Sequence, residues 1–127
     1  MSERDRWLAE TLNRLQYAQE DLYAAETMLG IESIPPRIIC FHSQQAAEKV
    51  LKAVLVYENL DVPRTHDLTL IQSLLPEAWT MKHTLGDLTT LSIWAADARY
   101  PGDLPYGSHD YASNMVALAS RVVTAVP

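Results

Sequence analysis

The chain has 127 residues, a hydrophobic content of 48% and a formal net charge of -6 at pH 7. This length can bury the core of one domain, and the hydrophobic content excludes a generally disordered chain. The acidic balance argues against a surface that attracts long nucleic acid through its phosphates, because such a surface needs a basic field.

The first predicted element is a helix from about Ser2 to Leu29. Apolar residues recur there every three or four positions, which is the period of an amphipathic helix. Ser2 is suited to cap its start, and Gly30 is suited to end it. The apolar stripe consists of Leu8, Leu12, Leu15, Ala18, Leu22 and Ala25.

Three further helices are predicted downstream. The second runs from about Pro36 to Glu58, and a proline suits the first turn of a helix. A short third helix is predicted from Asp67 to Leu75, where Pro76 ends it. A long fourth helix is predicted from Glu77 to Ala98, although Gly86 weakens it by roughly 1 kcal/mol relative to alanine.

The last predicted element follows residues 100–107, whose two prolines and two glycines exclude regular helix. Ser108 is suited to cap a final helix that extends to about Val126. No segment alternates apolar and polar residues in the way that a strand does. The predicted fold is therefore all-α, an antiparallel up-and-down bundle of four long helices and one short helix in a single domain.

The second helix carries a polar stripe. His42, Gln45, Lys49 and Lys52 fall within about 80° of one another on a helical wheel, because they are three or four positions apart. Glu48 lies at the edge of this stripe and is placed to pair with Lys52. The stripe is either a solvated face or the lining of a groove for a polar ligand or a partner, and periodicity does not separate these two interpretations.

The opposite side of the same helix bears small residues at Ser43, Ala46 and Ala47. Small side chains let a second helix approach closely. We therefore predict that this face takes part in a homodimer.

Three motifs together resemble those of the HEPN family, the higher-eukaryote and prokaryote nucleotide-binding domains. The run Cys40-Phe-His-Ser-Gln-Gln-Ala-Ala-Glu-Lys-Val-Leu-Lys-Ala53 is similar to the signature helix of that family. Thr65-His-Asp-Leu68 and Ala98-Arg-Tyr-Pro101 follow in the order that the family has. The helical pattern from Trp7 to Val123 also agrees, so the resemblance spans nearly the whole chain.

The resemblance implies a helical bundle that forms a homodimer through its long helices and binds a nucleotide. It also implies a partner, since many prokaryotic members are encoded beside a minimal nucleotidyltransferase and form toxin–antitoxin pairs. Many members are metal-independent endoribonucleases that use an Arg-x(4–6)-His motif near the start of the last long helix. In that motif the two side chains hold the scissile phosphate and assist proton transfer from the 2'-hydroxyl.

The sequence departs from this catalytic motif. Nine residues separate Arg99 from the next histidine, His109. The literal match from Arg37 to His42 lies on the second helix, where five positions set the two side chains about 140° apart. The departure favours a nucleotide-binding or regulatory protein. One alternative is an endoribonuclease toxin with a rearranged site at a dimer interface, built from Arg99 and His109 with His42 as a further candidate. The other is a structural module with no ligand site.

The two shorter motifs supply further candidates for ligand binding. Thr65 or Asp67 suits the cap of the short helix, with His66 packed against a neighbour, or else His66 and Asp67 lie beside the polar stripe. Arg99 suits a phosphate, or else it binds the carbonyl groups that end the fourth helix while Tyr100 fills the core. The predicted ligand-binding residues are His42, Gln45, Glu48, Lys52, His66, Asp67, Arg99 and Tyr100.

The cysteine and histidine content limits the disulfide and metal chemistry that the chain can support. Cys40 is the single cysteine, which excludes an intramolecular disulfide and a cysteine-rich zinc site. The four histidines lack the spacing of a paired metal site, and no glycine-rich phosphate loop is present. We expect no metal ion and no cofactor. Residues 1–10 lack the apolar core of a signal peptide, so we expect a cytoplasmic protein without a membrane span.

Overall fold

The computed structural model describes residues 2–95 and 108–126. Within these two ranges all regular structure is helical, as predicted. Three helices are long and three are short, which corrects the expectation of four long helices and one short helix. In chain order they are α1 (Glu3–Leu29), α2 (Pro36–Tyr57), α3 (Leu68–Ser73), α4 (Met81–Thr84), α5 (Thr89–Ser92) and α6 (His109–Thr124).

Helix α1 begins where the sequence predicts, because Ser2 and Asp5 cap it reciprocally. The Asp5 amide donates to Ser2 Oγ at 3.1 Å, and the Ser2 amide donates to the Asp5 carboxylate at 3.4 Å. Only the second half of the apolar stripe enters the core, where Ala18 and Ala25 are fully buried. Leu12 in the first half is 56% exposed, so this end of the helix leaves apolar surface uncovered.

Helix α2 is the centre of the bundle and packs against α1, α3, α5 and α6. Its small-residue face is fully buried within the chain, at Ser43, Ala46 and Ala47. That face therefore serves packing inside one chain, and it is unavailable for the dimer contact predicted from it. The buried side of this helix needs its polar side chains paired, and this requirement shapes the site described below.

The predicted helix from Glu77 to Ala98 is interrupted. Gly86 has φ of 76°, a left-handed conformation that glycine adopts without steric cost, and α4 and α5 lie on either side of it. The Asp87 carboxylate accepts from the Thr89 amide at 2.9 Å and stabilises the new start. Hydrogen bonds from the side chain and then from the backbone of Thr89 lower the pKa of Asp87. Despite the break, the apolar side chains on both sides of Gly86 lie in the core, and residues 96–98 lie outside the described residues. The buried side chains are Met81, Leu85, Leu88 and Leu91.

Helix α6 begins at the predicted cap, since Ser108 Oγ accepts from the Tyr111 amide at 3.1 Å. The Tyr111 hydroxyl accepts from the indole of Trp94 at 3.0 Å. Near the other end of α6, the Arg121 guanidinium donates to the carbonyl oxygens of Leu85 at 3.0 Å and Thr84 at 3.5 Å. Arg121 thus closes the end of α4 and joins it to α6.

In the parts of the chain that the structure describes, no helix combines the length and the apolar character that a bilayer crossing requires.

Replacing Arg121 with alanine should lower the free energy of unfolding by about 1–2 kcal/mol, because two carbonyl groups at the end of α4 lose their donor. Urea denaturation followed by circular dichroism measures this difference. The control is Arg14→Ala, which removes an exposed pair with Glu10 at 3.3 Å and should cost less than about 0.5 kcal/mol. Equal losses in the two variants would contradict this role.

Cys40 is fully buried, and burial raises the pKa of its thiol to about 12. Near pH 8 the native protein should therefore react with a thiol reagent only as fast as the core opens. The closed core gives the reagent no access to the thiol, and the thiol stays protonated. Mass spectrometry with and without urea measures the labelling. Complete labelling of the native chain within minutes would show that this part of α2 opens readily.

Candidate functional site

The polar stripe of α2 is largely covered, and it divides into two clusters of hydrogen-bonded side chains. The covering groups come from α1 on one side and from the segment before α3 on the other. The side chains of His42 and Lys49 are 32% and 35% exposed, whereas those of Lys52 and Glu48 are 13% and 8% exposed. The stripe is thus neither a freely solvated face nor one continuous open groove.

The first cluster joins α1 to α2 through Asp21. One oxygen of its carboxylate lies 3.0 Å from His42 Nδ1, and the other accepts from the Lys49 ammonium. The Asp21 side chain is only 15% exposed. Because both carboxylate oxygens and the nearer ring nitrogen are engaged, this cluster primarily fixes the two helices against each other.

The second cluster is centred on Glu48, whose carboxylate has three partners. One oxygen lies 2.9 Å from His66 Nδ1 and accepts from the Gln44 amide at 3.0 Å. The other oxygen accepts from the Lys52 ammonium at 3.2 Å. A carboxylate on a side chain that is only 8% exposed requires such pairing, since an isolated buried charge is strongly unfavourable.

Gln44 is fully buried and completes this cluster. Its amide nitrogen also donates to the backbone carbonyl of His66 at 3.2 Å, and its amide oxygen accepts from Gln45 at 2.7 Å. His66 is therefore held both at its backbone and at its ring. With the Nδ1 proton directed to Glu48, the neutral imidazole keeps the lone pair of Nε2 for another group.

His66 lies at an open cleft of about 480 Å³ between the segment before α3 and the end of α5. Its side chain is 47% exposed. One wall of the cleft is polar and the other is apolar at Ile93 and Ala95. The remaining residues that line it are Arg64, Thr65, Asp67 and Ser92.

Asp67 caps α3, as one of the two interpretations of its motif predicts. Its Oδ1 accepts from the amides of Thr69 at 3.0 Å and Leu70 at 3.3 Å. Ser92 fixes the same segment, because its hydroxyl accepts from the Leu68 amide at 2.9 Å. These bonds give the polar wall of the cleft a defined backbone.

Most of the predicted ligand-binding residues lie around this cleft or the Glu48 cluster behind it. His42 belongs instead to the separate Asp21 cluster. His109 is the first residue of α6, and its Nε2 is buried without a hydrogen-bond partner among the described residues. Arg99 and Tyr100 lie outside the described residues. The members that the structure brings together are Gln45, Glu48, Lys52, His66 and Asp67.

Sequence patterns do not identify four residues of the clusters and the cleft, although two of the four carry a signal in the sequence. Gln44 lies four positions after Cys40 on the buried side of α2, and Asp21 lies between buried residues of α1. A polar side chain on an apolar stripe indicates a paired group. Arg64 and Ser92 carry no such signal, because they reach the cleft only through the path of the chain.

In residues 2–95 and 108–126 no three histidine, cysteine, aspartate or glutamate side chains converge as ligands for a metal ion.

A second concave surface is apolar. It is a groove of about 370 Å³ formed by the first half of α1, the end of α2, Trp79 before α4 and the segment after α6. Tyr57 contributes an aromatic wall, with ring centroids 5.3 Å from Trp7 and 6.0 Å from Trp79. The other residues that line the groove are Leu8, Thr11, Leu12, Leu15, Ala53, Val54 and Val126.

Comparison with known proteins agrees with this architecture. A crystal structure of TT1696 from Thermus thermophilus superimposes with a TM-score of 0.78 at 25% sequence identity, over 91% of this chain and 94% of that chain. No protein with a curated functional description matches. The family model of the HEPN domain matches residues 11–127, and the chain therefore belongs to the HEPN family.

Proposed function

We propose that this HEPN protein is a nucleotide-binding regulator that works as a homodimer beside a minimal nucleotidyltransferase partner, as in toxin–antitoxin pairs. The observation that carries the proposal is the cleft at His66. There a histidine fixed by a buried carboxylate stands beside Arg64 in an open, partly polar depression. Fixed polar groups in a concave surface are the ordinary features of a small-molecule site.

The chemistry of the cleft suits a nucleotide. Arg64 supplies a guanidinium group, whose planar array of donors matches the oxygens of a phosphate. Ile93 and Ala95 supply an apolar surface for a base. The cleft volume of about 480 Å³ is in the range of small-molecule sites. The net charge of -6 further favours a small ligand over a long nucleic acid.

The apolar groove supports the homodimer. Leu8 and Leu12 are 40% and 56% exposed on α1 and continue into the groove beside Tyr57. A contiguous apolar surface of this kind is typical of a protein contact. It replaces the buried small-residue face of α2 as the surface through which we propose that two copies meet.

Replacing Arg64 with alanine should weaken nucleotide binding by about 10- to 100-fold, because a charged hydrogen-bond donor to the phosphate is lost. Isothermal titration calorimetry with the four ribonucleoside 5'-monophosphates measures this. Arg14→Ala is the matched control, since Arg14 lies on α1 away from the cleft. If none of the four nucleotides binds the unmodified chain at millimolar concentration, the proposed function is wrong.

An endoribonuclease is the second candidate, and the buried unpartnered Nε2 of His109 favours it. Histidine is the side chain that most often transfers protons in catalysis. The site would combine Arg99 and His109, with His42 as a third member. Purified protein should then cleave RNA, and Arg99→Ala and His109→Ala should each abolish the cleavage. Cleavage that persists in both variants, or none at any dose, would exclude this site.

The homodimer predicts a specific effect of charge in the groove. Leu12→Glu should shift the protein from a dimer to a 14.3 kDa monomer in sedimentation velocity, because a carboxylate would be buried at the contact. Leu70→Glu is the control, since Leu70 is 45% exposed on α3 and does not line the groove. A monomeric unmodified chain at high concentration would contradict the dimer.

A further inference from the structure

The polar wall of the cleft carries two hydrogen-bond acceptors on consecutive residues, His66 Nε2 and Asp67 Oδ2. We propose that they bind the vicinal hydroxyl groups of a ribose, so that the cleft selects ribonucleotides over deoxyribonucleotides. This inference rests on the proposed nucleotide-binding function. It adds that these two residues contact the ribose of the ligand.

The acceptor character of His66 follows from its partners. Nδ1 lies 2.9 Å from Glu48, whose buried carboxylate accepts hydrogen bonds and offers none while it is ionised. In the neutral ring the proton therefore lies on Nδ1, and Nε2 is left with a lone pair. Nε2 bonds to no residue in the described parts of the chain, and the side chain is 47% exposed at the cleft.

Asp67 likewise has one carboxylate oxygen that accepts hydrogen bonds within the chain and one that does not. Oδ1 accepts from the amides of Thr69 and Leu70 at the start of α3. Oδ2 has no partner among residues 2–95 and 108–126. Since the two amide bonds fix the carboxylate, Oδ2 is a positioned acceptor and needs little ordering when a ligand binds.

Two fixed acceptors on consecutive residues call for a ligand group with two neighbouring donors. The 2'- and 3'-hydroxyls of a ribose are such a group, and every ribonucleotide carries them whatever its base. Arg64, two positions before His66 and on the same cleft, supplies the complementary charge for the phosphate. Arg64 thus supplies hydrogen-bond donors for the phosphate, and His66 and Asp67 supply acceptors for the two ribose hydroxyls.

The test is calorimetric titration of the full chain with the four ribonucleoside 5'-monophosphates and with their 2'-deoxy counterparts. The deoxy compounds should bind at least about tenfold more weakly, because an acceptor that loses water without gaining a partner is costly. Equal affinity for the two series would overturn the inference and leave the proposed function standing. Absence of binding in both series would overturn the proposed function, and the inference with it.

Two variants assign the selectivity to these residues. Asp67→Asn retains the helix cap but places an amide nitrogen at the Oδ2 position, so the preference for ribose should fall while the melting temperature is unchanged. His66→Ala should lower the same preference, whereas Arg64→Ala should weaken both series equally. His83→Ala is the control, because His83 pairs with Glu77 outside the cleft and should leave the preference intact. A preference that survives in both Asp67→Asn and His66→Ala would overturn the assignment.

Discussion

The buried carboxylate of Glu48 is the constraint to which the rest of the site is fitted. It lies on α2, the central helix of the bundle, and the side chain is 8% exposed. Breaking a buried ion pair typically costs about 3–5 kcal/mol, so such a carboxylate must keep its partners. Lys52 pairs with it from the next turn, Gln44 from the previous turn, and His66 from the segment before α3. The need to pair this carboxylate therefore helps to place the loop that forms the cleft, together with the bonds that Ser92 and Gln44 make to its backbone.

The same requirement explains why polar residues occur so deep in this fold. Gln44 has no exposed surface, yet both of its amide protons and its amide oxygen are paired. Such a network stabilises one register of helix and loop, because a shifted arrangement would leave several buried groups without partners. Asp21 has the corresponding role between α1 and α2, with His42 and Lys49 as its partners. The carboxylates of Asp21 and Glu48 thus fix the central helix to α1 on one side and to the segment before α3 on the other.

The sequence predicts the helices better than it predicts the site. Ser2 and Ser108 mark real helix starts because capping is local chemistry between residues three positions apart. The sequence predicts only a weakening of the helix at Gly86, whereas the structure has a complete break. The break is favoured because the turn brings apolar side chains into the core, and this depends on tertiary packing. The pair of Glu48 with Lys52 is visible as a four-residue spacing, whereas the pair of Glu48 with His66 spans 18 positions and follows only from the path of the loop.

The three tryptophans occupy different surroundings, and this gives the molecule separate optical reporters. Trp94 is 3% exposed and bonded to Tyr111, so its emission reports the integrity of the core. Trp7 and Trp79 are partly buried on either side of Tyr57, close to the apolar groove. A molecule that settles in the groove changes the polarity around these two indoles and leaves the third untouched. Fluorescence of single-tryptophan forms would thus distinguish association through the groove from loosening of the bundle.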